Sequence, residues 1–244
     1  MNRPFRSEAD PTERRSAPVR LALVGTTGLI GSRLIAISSA SDDCRIVGIA
    51  RREIALPKGA RVEVFVAEPD KWGEVFEAVR PRALISALGT TWKKAGRDET
   101  AFRAVDQELI LATAKAAHDA GVPNMVLVSA AGADPRAKSL YMRVKGETEG
   151  LVSKVGFKRL DILRPGLLRG ERQDDWRTAE RLALAVSPVV EPFLPAKWAS
   201  YRSIEADLVA EAALFLAQRR AQGRFIHDND AMKRAAREWR AKRN

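Results

Sequence analysis

The chain has 244 residues, 45% of them hydrophobic, and a formal net charge of +11 at pH 7. That length can bury a sizeable core as one domain, and no run approaches the roughly 18 uninterrupted apolar residues that a spanning helix needs, so no membrane span is expected. Cys44 is the single cysteine and His118 and His227 are the two histidines, which leaves no pair for a disulfide and no zinc-like ligand set.

Residues 1–18 form a charged basic leader broken by Pro4, Pro11 and Pro18, expected to be disordered. Its charge falls where a signal peptide would be apolar, and with the lone cysteine it points to a reducing cytoplasm. Strand-length apolar runs then alternate with helical patterns. The strands are expected at Val19–Val24, Arg45–Ala50, Val62–Val66, Ala83–Ala87, Met125–Ser129 and Arg159–Leu163. The helices are expected at Leu29–Ser38, Lys71–Val79, Glu99–Ala120 and Ser139–Val155, the last two stopping at Gly121 and Gly156. This βα rhythm predicts an α/β fold of Rossmann type, a doubly wound parallel sheet with helices on both faces.

After Arg164-Pro165 the rhythm breaks into loops holding Pro188, Pro192 and Pro195. A helix near Glu205–Gln218 and a short strand at Arg224–His227 follow. The organisation expected is a single domain over residues 19–227, with a small C-terminal substrate lobe at about 166–203, because ligands of such sheets bind beyond the carboxyl ends of the strands. Residues 228–244 read as a basic helical tail with a solvated face, or as a docking element for an anionic partner, nucleic acid or membrane surface.

Three places along the chain carry chemistry. "LALVGTTGLIGSRLI" sets Gly25, Gly28 and Gly31 between a strand and a helix. The first glycine permits the tight turn, the second lets backbone N–H groups approach a pyrophosphate, and the third lets helix and strand pack closely. Thr27, Leu29 and Ile30 belong to the same dinucleotide loop. Beyond the second strand, an NAD site would place an acid on the ribose hydroxyls, whereas this chain has Arg51 and Arg52, with Glu53 behind them. Two guanidiniums suit an extra phosphate, so NADP(H) is the preferred cofactor and NAD(H) the alternative. Finally, "LYMRVKGE" puts Tyr141 and Lys145 on one helix face, twelve residues after the strand-end Ser129. A nearby ammonium lowers a phenol's pKa toward working pH, so Tyr141 can move a proton while Ser129 orients the reacting oxygen.

From Val19 to about Ala217 these motifs resemble the short-chain dehydrogenases/reductases. "ALGTTWKKAG", "SAAGAD" and "RPGLLRGER" are similar to the atypical, extended-type branch that includes TIP30, the HIV Tat-interacting protein 2. The resemblance implies pyrophosphate binding at Gly25–Gly31, a 2′-phosphate on Arg51 and Arg52, proton transfer by Tyr141, and ribose contact with pKa lowering by Lys145. It further implies that Leu88, Gly89 and Thr90 line the nicotinamide and that the Pro165, Gly166 and Leu168 backbone closes over it. Many members carry an asparagine that supports a relay water near the lysine; Asp106 stands at the corresponding place here. Substrate contacts are expected from Thr91, Trp92 and Lys93 on one wall and from Glu171, Arg172, Trp176, Trp198 and Tyr201 on the lobe. The activity expected is that of an NADPH-dependent oxidoreductase of carbonyl reductase type acting on a small-molecule carbonyl substrate. The alternatives are a non-catalytic NADPH-binding redox sensor acting through partners and a sugar-nucleotide epimerase or dehydratase. The oligomeric state stays open between a monomer and a homodimer; in relatives of this arrangement, helices such as Glu99–Ala120 and Ser139–Val155 often pair across a dimer.

Overall fold

The computed structural model describes residues 17–56, 59–170 and 202–243. Seven strands form one sheet: β1 (Val19–Val24), β2 (Cys44–Ala50), β3 (Glu63–Val66), β4 (Ala83–Ser86), β5 (Asn124–Val128), β6 (Arg159–Leu163) and, after a short β7 (Leu168–Arg169) and β8 (Ile204–Glu205), β9 (Gly223–His227). Their order is β3-β2-β1-β4-β5-β6-β9 and every pairing is parallel. The order reverses between β1 and β4, which opens a crevice over their carboxyl ends.

Parallel strands are buried on both faces, so their side chains divide into two cores. Along β1, Leu21 and Leu23 join Leu34, Ile35, Phe215 and Trp239 on one face, while Ala22 and Val24 join Trp72, Phe76, Leu84 and Ile110 on the other. The first face is covered by α1 (Leu29–Ser39) together with two helices of the C-terminal part, α6 (Ala206–Ala217) and α7 (Asn229–Ala241). The second is covered by α2 (Trp72–Val79), α4 (Ile110–Asp119) and α5 (Leu140–Val152). Strand and helix ends fall within a few residues of those expected from the pattern.

Two features depart from expectation. The segment read as one helix over Glu99–Ala120 is α3 (Glu99–Arg103), a π-helical stretch at Ala104–Leu109, and then α4. The wider turn carries Asp106, whose backbone carbonyl accepts from Thr148 Oγ1 of α5 at 2.9 Å. The basic tail is α7, and it is docked rather than appended: Met232, Ala235, Ala236 and Trp239 are buried, with Trp239 only 1% exposed. Its solvated face carries Arg234, Arg237 and Arg240, and Arg240 pairs with Glu211 of α6 at 2.7 Å. Of the segment expected to form a substrate lobe, the two flanks are described, and they pair in parallel as β7 and β8. Glu171, Arg172, Trp176, Trp198 and Tyr201 lie outside the described residues, as does most of the leader.

Candidate functional site

The site runs along the carboxyl ends of β1, β4, β5 and β6, and each turn is fixed there by a contact visible in the sequence only as a small or polar residue. Gly25 takes φ +84°, and a Cβ on it would stand 2.4 Å from the Ala87 carbonyl carbon, so the glycine loop abuts the loop after β4. A Cβ on Gly31 would meet the Gly25 oxygen at 2.1 Å, so α1 packs directly against the turn. Gly28 caps α1, its N–H bonded to Gly25 at 3.1 Å, with no side chain capping the helix and no acid in its first turn. Thr27 and Gly28 are exposed, while Leu29 and Ile30 are buried in the core beneath. An uncapped helix N-terminus reached through a cradle that a Cβ would fill fits a dinucleotide pyrophosphate, which would take the orphan N–H groups. Arg51 and Arg52 stand exposed just beyond β2, on the side where the adenosine ribose would lie.

Leu88, Gly89 and Thr90 follow β4 and meet the π-helical stretch. The Thr90 N–H donates to Asp106 Oδ2 at 2.7 Å, and a Cβ on Gly89 would lie 3.4 Å from Asp106 Oδ1 and 3.5 Å from Lys145 Nζ. Lys145 Nζ itself is 2.7 Å from Asp106 Oδ1, both side chains almost wholly buried. Burial alone would push this ammonium's pKa down; Asp106, then Tyr141, outweigh it, and the net shift is upward. Lys145 is therefore held protonated, 5.9 Å from the centroid of the half-buried Tyr141 ring. Asp106 occupies the place expected for it and acts there as the lysine's counter-ion.

Tyr141 continues an aromatic line to the surface. Its ring centroid is 5.7 Å from that of buried Phe102, which meets the exposed Trp92 edge-on at 6.0 Å. Thr91 is exposed beside Trp92 and its Oγ1 accepts from the Lys94 N–H at 3.1 Å.

Ser129 is buried directly after β5, and its hydroxyl donates to Glu149 Oε1 at 2.5 Å. Glu149 is in turn clamped by Arg164, whose Nη2 lies 2.5 Å from Oε2 and whose Nε donates to Oε1 at 3.0 Å. After β6 the Pro165 carbonyl accepts from the Ala131 N–H at 2.8 Å, and the Gly166 N–H donates to Asn229 Oδ1 at 3.0 Å, while Leu168 enters β7. The structure thus brings Ser129, Tyr141, Lys145 and Asp106 onto two packed helices and one strand end. Glu149, Arg164, Phe102 and Asn229 were not singled out by the sequence reading. Glu149 was within reach of it, being one further four-residue step along the face that carries Tyr141 and Lys145.

The chain is similar to known proteins in family and in fold. The family described as NAD(P)H-binding matches residues 25–187. A relative named "Protein fmp52, mitochondrial" from Emericella nidulans is 35% identical over 204 residues, covering 80% of this chain and 85% of its own. A namesake from Candida albicans is 32% identical, with 82% and 89% covered. Among solved structures, MoeE5 in complex with UDP-glucuronic acid and NAD superposes with a TM-score of 0.67 at 16% identity, covering 86% of this chain and 76% of its own. The UDP-glucose 4-epimerase of Thermus thermophilus in complex with NAD gives 0.64 at 22%, covering 90% and 83%. At these identities the structures speak for the fold. The cytoplasmic placement expected from the sequence is overturned by the relatives, which are named as mitochondrial proteins. Its physical basis was too coarse: a lone cysteine and a charged leader separate reducing from oxidising surroundings, and do not separate one reducing compartment from another.

Proposed function

The chain belongs to the NAD(P)H-binding family, beside the Fmp52 proteins, and from that membership we propose that it is an NADPH-dependent carbonyl reductase of short-chain dehydrogenase/reductase type. The observation that carries this reading is Lys145, a buried ammonium kept protonated by Asp106 and set one helical turn from Tyr141 at the mouth of the crevice. The Gly25–Gly31 turn and α1 hold the cofactor, and Arg51 and Arg52 favour the form with a 2′-phosphate. When bound, the nicotinamide supplies hydride chemistry. Tyr141 delivers the proton to the substrate oxygen, Lys145 stabilises the phenolate left behind, and the Trp92 and Phe102 edge shields the substrate from water. The narrower likeness to the TIP30-like branch rests on the sequence motifs, whereas the matching relatives include Fmp52 proteins.

One observation favours a second reading, an NADPH-binding sensor without turnover: Ser129 is already paired with Glu149 and Lys145 with Asp106, with no ligand needed. Calorimetric titration with NADPH and NADH, followed by a panel of aldehydes and ketones, separates the two. Tyr141→Phe is expected to lower kcat by about 100-fold or more while NADPH binds as before. Equal turnover in that variant would remove Tyr141 from the chemistry, and NADPH binding without turnover of any carbonyl would favour the sensor.

A further inference from the structure

We infer that the loop after β4 selects a ligand with an anionic group, so that the carbonyl substrate is one bearing a carboxylate or a phosphate beyond a flat apolar section. The inference deepens the oxidoreductase reading above and rests on it. Residues 91–97 are wound into a knot of short turns. The Ala95 N–H donates to the Thr91 carbonyl at 3.0 Å, the Gly96 N–H to that of Lys93 at 3.1 Å and the Arg97 N–H to that of Trp92 at 2.9 Å. The knot is rooted in the site, because the Thr90 N–H just before it is bonded to the Asp106 carboxylate that holds Lys145. Trp92 stands at the outer end of the line of rings that starts at Tyr141, with ring-to-ring steps of 5.7 Å and 6.0 Å, and it is 37% exposed. An exposed indole offers a flat apolar ledge on which a substrate ring can stack.

Lys93, Lys94 and Arg97 are all exposed on this knot, and none has an acidic partner among the described residues. The acids that follow are engaged: Asp98 Oδ1 accepts from the Ala101 N–H at 2.6 Å as the cap of α3, and Glu99 and Glu147 both pair with Arg103, at 2.8 Å and 2.5 Å. Arg97 also holds φ +61°, a left-handed conformation that sterics alone would give to glycine, as at neighbouring Gly96 with φ +68°. A guanidinium kept there against that preference points to a use for its charge. Selection by this charge needs no fixed side-chain pose. The Debye length at physiological salt is about 8 Å, and the Arg97 N–H is bonded to the Trp92 carbonyl, so a ligand on the ledge lies within the field of the knot whatever rotamer each cation takes. The anion belongs at the Trp92 end, away from the carbonyl at Tyr141, which disfavours small neutral aldehydes as substrates.

The test compares formylbiphenyl carboxylate, its methyl ester and the corresponding phosphate as substrates of the NADPH-loaded protein, at low and at high salt. The charged substrates are expected to exceed the ester in kcat/KM by roughly threefold to tenfold, the weight of a few exposed ion pairs, with the difference carried by KM and lost at high salt. The larger of the two ratios identifies the group as carboxylate or phosphate. Arg97→Gly, which accepts the left-handed backbone without strain, is expected to lower the ratio with the fold intact, and its combination with Lys93→Ala and Lys94→Ala to bring it to about one. Trp92→Ala is expected to raise KM for acid and ester alike. Equal turnover of acid and ester, or a preference that high salt and the combined variant leave intact, would overturn the inference and leave the oxidoreductase reading standing. Calorimetric titration with unreactive biphenyl carboxylate and biphenyl carboxamide separates the opposite case. A salt-sensitive preference for the carboxylate without turnover of any carbonyl would keep the anionic ligand and remove the reductase, and neither preference nor turnover would remove both.

Discussion

Asp106 lies where the helix widens by one residue, and its carboxylate receives both the Lys145 ammonium and the Thr90 N–H. Removing one partner of a buried pair leaves the other uncompensated, at a cost of roughly 3–5 kcal/mol. Asp106→Ala is expected to lose about that much in denaturant unfolding, and Asp106→Asn less, since the amide oxygen still accepts from Thr90. The pH dependence has a definite sign. Because the folded pKa of Lys145 is raised above its ordinary 10.5, its stabilising contribution is fully present below that value and is lost as pH rises through the folded value. Wild-type stability should therefore decline on the alkaline side above 10.5, with a shallower decline in Asp106→Ala, as unfolding midpoints across that range would show. Tyr141 and Lys145 stood out by their four-residue spacing, whereas Asp106 was marked only by the family resemblance. Glu149 lies on the same stripe but was passed over, because a carboxylate on a helix is ordinarily solvated and the Arg164 and Ser129 contacts that bury it come from 15 and 20 residues away.

Helices and strands were legible almost to their ends because parallel strands read as unbroken apolar runs and because Gly121 and Gly156, both at positive φ, follow α4 and α5. What escaped the pattern depends on neighbours distant in sequence. The π-helical stretch is held by Thr148 on another helix, and β7 pairs with β8 across more than thirty intervening residues. Propensity contains neither partner. The turn from β1 into α1 was legible because its demand is steric and local. Gly31→Ala sets a methyl 2.1 Å from the Gly25 oxygen, on backbone rather than on a side chain that can swing away. That variant is expected to lose NADPH binding in the titration and to unfold at a lower temperature, since α1 can no longer close on the turn.

For the molecule as a whole, the C-terminal segment is part of the core. Trp239 and Met232 fill the face shared by α1 and α6, and Asn229 at the start of α7 braces both the Gly166 N–H and the Arg202 carbonyl. Trp239→Ala is expected to cost roughly 3–5 kcal/mol. A chain ending before Asn229 should lose stability and NADPH affinity together, because the turn after β6 loses its brace; thermal unfolding with and without NADPH checks both. The sequence showed a basic helix there and left its buried face unread, since an Ala, Met and Trp stripe among arginines looks like a solvated helix until something covers it.

The same arrangement sets an order on synthesis. Arg243, the last described residue, donates to the carbonyl of Ala40 at the end of α1, and Arg33 of α1 pairs with Asp207 of α6. A helix made early is thus packed by helices made late. Until α6 and α7 emerge from the ribosome, the side of α1 that they pack against lacks its cover, although the opposite core, closed by α2, α4 and α5, is already complete in the nascent chain. One half of the molecule can form during translation, and the other must wait for α6 and α7, with its greasy surface held exposed or guarded in the interval.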